Sequence, residues 1–369
     1  MSLLGLIPEP PFATKSWSGS SAHFFGAMQK AGLLAGAEEV RLGQAAEFMY
    51  KVRALGWPMS RWKEQYHAST ARFAGLTRVA GAQIRRATRA TGVIQVGAWF
   101  SSPAVTDLPC FSYHDGNAAL WYRFYGRGLL SPARIERHLA WERSNYARMK
   151  AIFVMSDWLG RSFVEDFGVP AERVHVVGAG INFDQLPVPA PRDHATPRFL
   201  FVGRDFARKG GTHLLAAFRQ VRAAVPNAEL IVVGPDARAP QPGVTWAGFL
   251  RKSDPGDLAK LKSYFDTSTI MILPSIYEPF GISLLEGMAN NMACVAVDRC
   301  AMPEIVTHGE TGLIARAEDP ASLAERMIEL ARDPARVRDM GLKGRRRVEE
   351  HYTWPAVVGK IRRVITRAP

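Results

Sequence analysis

The sequence predicts an α/β protein of two Rossmann-like halves that face one another across a cleft. Three observations carry this. The 369 residues suit two domains, since domains commonly run to roughly 100–200 residues. Short apolar runs alternate with helix-like stretches in both halves, the rhythm of βαβ units whose parallel sheet is buried on both faces. A Pro-rich stretch, residues 187–197 (PVPAPRDHATP), lies between the halves and reads as an exposed linker.

In the first half, residues 1–186, the expected strands are 2–7 (SLLGLI), 93–100, 109–113, 151–155 and 174–178, with a long helical insert over about 43–91. In the second, 198–352, strands are expected at 198–203 (RFLFVG), 229–234, 244–246, 270–274 and 293–297. Helices are expected at 211–225, 257–265 and 282–290. Residues 335–350 and 355–367 read as two closing helices.

Composition narrows the class. A 47 % hydrophobic and 22 % charged chain has enough apolar material for two cores and is not largely disordered. Cys110, Cys294 and Cys300 are few and lack metal-type spacing, so neither a disulfide framework nor a zinc site is expected, and a reducing cytoplasm fits. MSLLGLIPEPP has no basic region ahead of its short apolar run, so no signal peptide is expected. No apolar run is long enough for a transmembrane helix. The net charge of +13 points to an anionic partner: nucleic acid, a membrane surface or a phosphorylated substrate. Residues 51–161 carry a net +11 and 335–369 a net +7, whereas 191–334 sum to −1.

Four features of the second half converge on a site. In VGRDFARKGG (202–211) an apolar strand ends at Gly203 and a helix begins near Gly210, with Arg204 and Lys209 between them. Cations beside the free N–H groups of a helix start form an anion site suited to a diphosphate; a solvated basic loop is the alternative. In PSIYEPFGISLLEG (274–287), Glu278 stands before a turn at Pro279, Phe280 and Gly281, and Glu286 lies about one helical turn beyond Ile282. These carboxylates can accept hydrogen bonds from sugar hydroxyls, and the N–H groups of Gly281, Ile282 and Ser283 can meet a phosphate. A capping box from Ser283 to Glu286 is the other reading. Gly248, Phe249 and Leu250 follow a short strand, where backbone could approach a nucleobase. In MPEIVTHGETGLI (302–314), Pro303 and Glu304 open a helix, and Gly309 and Gly312 bound a turn.

In the first half, Gly19 and Ser20 sit in a Gly/Ser-rich loop opening a helix (14–32), which is either a phosphate-facing loop or a capped helix start. His114 and Asp115 end a strand in FSYHDGN; a structural histidine is the alternative. Ser156, Asp157 and Trp158 follow the strand at 151–155, and no chemistry is assigned to them.

Taken together, the order of Gly203-Arg204, Lys209-Gly210, Pro274-Ser275, Glu278-Pro279-Phe280-Gly281 and Glu286 resembles the retaining family 4 glycosyltransferases (glycosyl transferases group 1), over about 150–369. One segment departs from that pattern: in MANNMACVAV (288–297), Asn291 replaces a usual glycine and Ala293 a usual proline, and asparagine tolerates the left-handed turn. The resemblance implies the GT-B fold, with the C-terminal helix (about 353–369) crossing back to complete the N-terminal, acceptor-binding domain. It implies a nucleotide diphosphate sugar donor, UDP- or GDP-linked, as substrate rather than cofactor, and sugar transfer to a hydroxyl with retention. Arg204, Lys209 and Glu278 would serve the reaction, with His114 or Asp115 positioning the acceptor. Gly19, Gly203, Phe249, Leu250, Phe280, Gly281, Ile282, Ser283 and Glu286 would hold the donor. No acid-rich cluster such as Asp-x-Asp is present, so no metal is expected, the two cations replacing it.

The basic blocks then concern the acceptor. Residues 51–91 hold nine basic side chains against one acid, Glu64, with Trp57, Trp62 and Phe73 interleaved. If the C-terminal helix returns to the first domain, Lys343, Arg345–Arg347, Arg362, Arg363 and Arg367 approach the same side. A solvated helix face is one reading; docking on an anionic membrane surface, with a glycan or lipid-linked acceptor, is the sharper one. The expected location is cytoplasmic, peripheral on the inner membrane face. Alternatives are a same-fold epimerase or phosphorylase and a basic nucleic-acid-binding protein. No helix-turn-helix, zinc finger or RNA-binding motif supports the last, so no nucleic-acid partner is expected.

Overall fold

A computed structural model of the chain describes all residues except 14, 56, 57, 184, 237, 238, 368 and 369, and the side chains of 18, 60 and 367. Trp57 and the Arg367 side chain, named above, thus lie outside the described residues. The chain divides into two compact units, residues 1–180 with 354–369, and residues 181–353.

The first unit is built on a six-stranded, all-parallel sheet. Its strands are β1 (Leu3–Ile7), β2 (Leu34–Glu39), β3 (Gly92–Val96), β4 (Cys110–His114), β5 (Ala151–Val154) and β6 (Val174–Val176), in the order β2-β1-β3-β4-β5-β6. Strands β1, β3, β4 and β5 are buried throughout, as expected of short apolar runs covered on both faces. The reading of 93–100 as strand runs too far: Gly97 takes φ +73°, and the chain turns there. The insert over 43–91 is three helices, Gln44–Arg53, Met59–His67 and Thr70–Arg86, the second entered through Pro58 and the third capped by Ser69.

The second unit repeats the plan. Strands β7 (Arg198–Val202), β8 (Glu229–Val233), β9 (Val244–Gly248), β10 (Ile270–Leu273), β11 (Ala293–Val297) and β12 (Gly312–Ala315) form a parallel sheet in the order β12-β11-β10-β7-β8-β9. Strand order reverses between β7 and β10, the switch point beyond which α/β sheets bind ligands. In the first sheet the same reversal falls between β1 and β3.

The Pro-rich stretch 187–197 belongs to the second unit instead of lying between the units, because hydrogen bonds hold it there. Arg192 donates to the Ser268 carbonyl at 2.7 Å, and Arg345 to that of Pro187 at 2.6 Å.

The last helix, Trp354–Arg367, belongs to the first unit. Trp354 is buried, 5.7 Å from the Phe24 ring and 6.4 Å from Tyr113. Lys360 donates to the Val177 carbonyl and Arg362 to that of Ala31. The first unit's core is therefore closed by residues far away in sequence. Trp354→Ala should cost about 3–5 kcal/mol, the usual range for truncating a buried aromatic. Hydrogen exchange should show the loss in residues 1–180; protection unchanged there would contradict this packing.

Candidate functional site

Two loops leave the switch point of the second sheet, one after β7 and one after β10. The first must turn tightly from strand to helix. Gly210 takes φ +72° as N-cap of the helix Gly211–Ala224, and a Cβ there would lie 1.9 Å from the Pro274 carbonyl oxygen in the second loop. Only glycine allows that approach. A Cβ on Gly203 would likewise meet the Lys209 stem at 2.1 Å.

The loops are joined by charge. Lys209 Nζ lies 2.9 Å and Arg208 Nη1 3.6 Å from Glu278 Oε2, and all three side chains are largely buried. Arg208 also donates to the Tyr277 carbonyl at 2.6 Å, while its own carbonyl accepts from Ile276 N at 2.9 Å. Burial pushes the Glu278 carboxyl up, but Lys209 and Arg208 outweigh it and hold it below its ordinary 4.5.

Arg204 is exposed, its guanidinium 5.2 Å from the centre of the half-exposed Phe249 ring. Gly248 reaches φ +71° and turns the chain toward Phe249 and Leu250. Gly281 is the N-cap of the helix Ile282–Ala289. The capping box does not form: Ser283 lies inside the helix, its buried hydroxyl without a partner, and Glu286 Oε1 is 2.9 Å from Lys252 Nζ. The Glu286 carboxylate raises the Lys252 ammonium above its usual range. Phe280 turns its ring inward, 4 % exposed and 6.2 Å from Tyr352, so only its backbone is available to a ligand. Asn291 adopts φ +56°, the left-handed turn expected of it.

Sequence reasoning missed Arg208 and Lys252. The signal for both was a cation next to one already chosen, or just after a strand: Arg208 precedes Lys209, and Lys252 follows Leu250 by two positions. Among the described residues no group of three or more His, Cys, Asp or Glu could hold a metal ion.

In the first unit, Gly19 is left-handed (φ +92°) at the start of the helix Ser20–Lys30. The loop before it meets the end of β4: Trp17 Nε1 donates to Asp115 Oδ2 at 2.9 Å. Gly19 and Asp115 are thus parts of one loop cluster. His114 does not stand open at the strand end. It is 1 % exposed, 5.0 Å from the Phe163 ring and 5.4 Å from Tyr146, and burial alone lowers its pKa to about 3. It is a neutral core histidine, which removes it from acceptor positioning. Ser156 caps the helix Asp157–Glu165.

The basic blocks are also rearranged. Phe73 is fully buried, and Trp62 donates to the Lys51 carbonyl, so neither is an exposed aromatic. Lys343 and Arg345–Arg347 lie on the helix Pro334–His351 in the second unit, where Arg345 and Arg347 bind carbonyls of Ala289 and Glu304. Arg362, Arg363 and Arg367, on the last helix, are the ones that join the first unit.

Residues 183–347 match the sequence profile of the family described as Glycosyl transferases group 1. The alpha-maltose-1-phosphate synthase of Mycolicibacterium smegmatis is 30 % identical over 247 residues, 58 % of this chain and 62 % of that protein. A phosphatidyl-myo-inositol mannosyltransferase of Propionibacterium freudenreichii is 31 % identical over 191 residues, 49 % of this chain and 48 % of that one. The chain thus spans about half to three fifths of these relatives' length. Sucrose-phosphate synthase from Thermosynechococcus elongatus superposes with a TM-score of 0.74 over 100 % of both chains at 18 % identity. WaaG, a glycosyltransferase involved in lipopolysaccharide biosynthesis, gives 0.68 over 97 % of this chain and 99 % of its own at 14 %. These likenesses show the GT-B fold.

The carboxylate pair is testable by stability. Lys209→Met should cost about 3 kcal/mol, near the low end for removing one partner of a buried pair, because Arg208 remains. The folded state lowers the Glu278 pKa, so its contribution is complete above the ordinary 4.5 and is lost as pH falls through the lower folded value. The stability gap between wild type and Glu278→Gln should therefore shrink on acidification below about 4.5 in denaturant titrations; a gap independent of pH would contradict the pairing.

Proposed function

We propose, from the match of residues 183–347 to the glycosyl transferases group 1 family, that this chain is a glycosyltransferase. It moves a sugar from a nucleotide diphosphate sugar to a hydroxyl acceptor, with retention and without a divalent metal. The observation that carries the reading is the pairing of a buried Lys209–Glu278 bridge with an exposed Arg204 at one switch point.

In this reading the bond from the anomeric carbon to the diphosphate breaks and negative charge builds on the leaving group. The acceptor oxygen bonds to the same face, and its proton passes to a diphosphate oxygen. An ammonium has three donors. Glu278 occupies one on Lys209 and fixes its position, leaving others for the diphosphate. Arg204 adds a forked charge, and the N-terminus of the helix Ile282–Ala289 adds backbone N–H groups. The Phe249 ring suits a nucleobase face. Glu286, oriented by Lys252, accepts from sugar hydroxyls.

The first unit takes the acceptor. Its helix Gln44–Arg53 and the segment after it expose Phe48 (70 %), Leu55 (66 %) and Met59 (53 %) beside Lys51 and Arg53. Apolar side chains flanked by cations suit the interface of an anionic bilayer, and a lipid-linked acceptor would be met there. No helix among the described residues is long and apolar enough to cross a membrane.

Two measurements test this. A thermal-shift screen with UDP, GDP and ADP and their sugars should identify a donor by its stabilisation. With it, Arg204→Ala should lower turnover about ten- to hundredfold, the loss of one charge-assisted contact; wild-type turnover would refute the donor site. Vesicle co-sedimentation tests the surface. Phe48→Ser and Leu55→Ser should each weaken binding to anionic vesicles about tenfold or more, since burying such a side chain contributes about 1.5–3 kcal/mol. Binding indifferent to these changes and to salt would refute membrane docking.

A further inference from the structure

Arg72 stands in the first turn of the helix Thr70–Arg86 and is only 9 % exposed. Its Nε and Nη1 have no hydrogen-bond partner, and among the described residues it forms no ion pair. Its guanidinium instead lies 4.7 Å from the centre of the Tyr66 ring and 5.6 Å from that of Trp99. Both rings are held in place. The Tyr66 hydroxyl donates to Glu47 Oε1 and accepts a side-chain hydrogen bond from Arg72, which leaves Nε and Nη1 as the unpartnered donors. Trp99 rides on the loop after β3, where the buried Gln95 amide donates to the Gly97 and Phe100 carbonyls and its oxygen accepts from Ser102.

The Arg72 side chain lines a cavity of about 380 Å³ in the first unit. Pro8, at the end of β1, and Glu39, at the end of β2, line it too, so it opens at the C-terminal edge of the sheet, where ligands of parallel sheets bind. Arg41 and Lys51 add two more cations, and Glu39 and Glu47 two carboxylates. Glu47 is already engaged, by the Tyr66 hydroxyl and by Lys51 at 3.4 Å.

A buried charge with free donors is costly unless something completes it. Ring faces offset part of that cost but accept no N–H in the plane of the guanidinium. What the site lacks is a compact anion with several oxygens, which a forked guanidinium binds best.

We propose that this cavity is a subsite for a phosphoryl group on the acceptor, with Arg72 as the forked donor and Arg41 and Lys51 as flanking cations. The proposal deepens the reading above and rests on the first unit taking the acceptor. A free sugar phosphate and a phospholipid headgroup carry the same chemistry. The cavity suits either, since Phe48, exposed beside it, also contributes to its wall.

The test uses the whole chain and three probes at matched ionic strength: inorganic phosphate, a hexose phosphate, and vesicles of equal parts phosphatidylcholine and phosphatidylglycerol. Phosphate or the hexose phosphate should raise the Tm of the wild type with dose, or the vesicles should bind it. Arg72→Met should abolish that response, and Arg41→Ala with Lys51→Ala should weaken it at least tenfold. Arg204→Ala should leave it intact, which separates this site from the donor site. Unliganded Arg72→Met should melt no lower than the wild type, because it removes a charge that lacks an anion. A response confined to hexose phosphate assigns a soluble acceptor, and one confined to vesicles a lipid; both uphold the subsite. An unchanged response in Arg72→Met, or no response to any probe, overturns it, as does a large loss of unliganded stability in Arg72→Met, which would mark a purely structural arginine. Nucleotide-induced stabilisation, measured alongside, should persist in every first-unit variant. Its absence from the wild type would defeat the donor reading while leaving the phosphate result to stand or fall by itself.

Discussion

A carboxylate held between two cations governs the second unit. β7 and β10 are neighbours in the sheet but far apart in sequence, and the loops that leave them share no covalent constraint. Glu278 supplies one. Buried and ionised, it must keep Lys209 and Arg208 close, since losing either partner leaves charge in a poorly solvated place. The backbone bonds from Ile276 to Arg208 and the close passage of Gly210 under Pro274 work in the same direction. The position of Lys209 follows from these contacts before any ligand arrives, so its charge is preorganised for an anion instead of being gathered at the moment of binding.

Neutrality in this unit is local as well as global. The −1 net charge of residues 191–334 could conceal scattered, unmatched charges. It conceals pairs: Lys209 with Glu278, Lys252 with Glu286, Arg198 with Glu229 at 2.5 Å, and Arg326 with Glu329 at 2.8 Å. Against that background an exposed Arg204, stacked on Phe249, contributes a field of its own. The basic excess of residues 51–161 lies in the other unit, where the three helices of the insert present cations beside exposed apolar side chains.

Much of the fold was legible because buried parallel strands are short apolar runs. RFLFV, IMIL and ACVAV read directly, and so did the glycine and cation pattern between β7 and its helix. Two of the four edge strands, β2 and β12, did not. LAGAEE (β2) has no β-branched residue and carries two glutamates, because one flank of it has no strand neighbour and its side chains are mostly half-exposed. GLIA (β12) was hidden behind the turn signal of Gly309 and Gly312. The site failed where identity and burial diverge. A histidine at a strand end looks available in sequence, yet burial against two aromatic rings decides that His114 is core. Ser283 and Glu286 have capping-box spacing, but Lys252, a remote residue, claims the carboxylate. Arg72 is one basic residue among nine in residues 51–91 until the fold buries it.

Glu278 and Arg72 show two solutions to the same electrostatic problem. Each is a charged side chain removed from water. Glu278 has its counter-charges within the protein, so its site is complete without a ligand. Arg72 has rings on its faces and nothing at two of its nitrogens. Aromatic faces are worth about 0.5–2 kcal/mol to a cation, less than a charge-assisted pair supplies at the guanidinium edge. The difference predicts opposite responses to neutralising substitution. Removing charge at Glu278 strands two cations and must destabilise. Removing it at Arg72 strands nothing, because no carboxylate depends on it. A residue whose charge the unliganded fold does not need, facing a cavity at the ligand-binding edge of a parallel sheet, has its counter-charge in what enters that cavity.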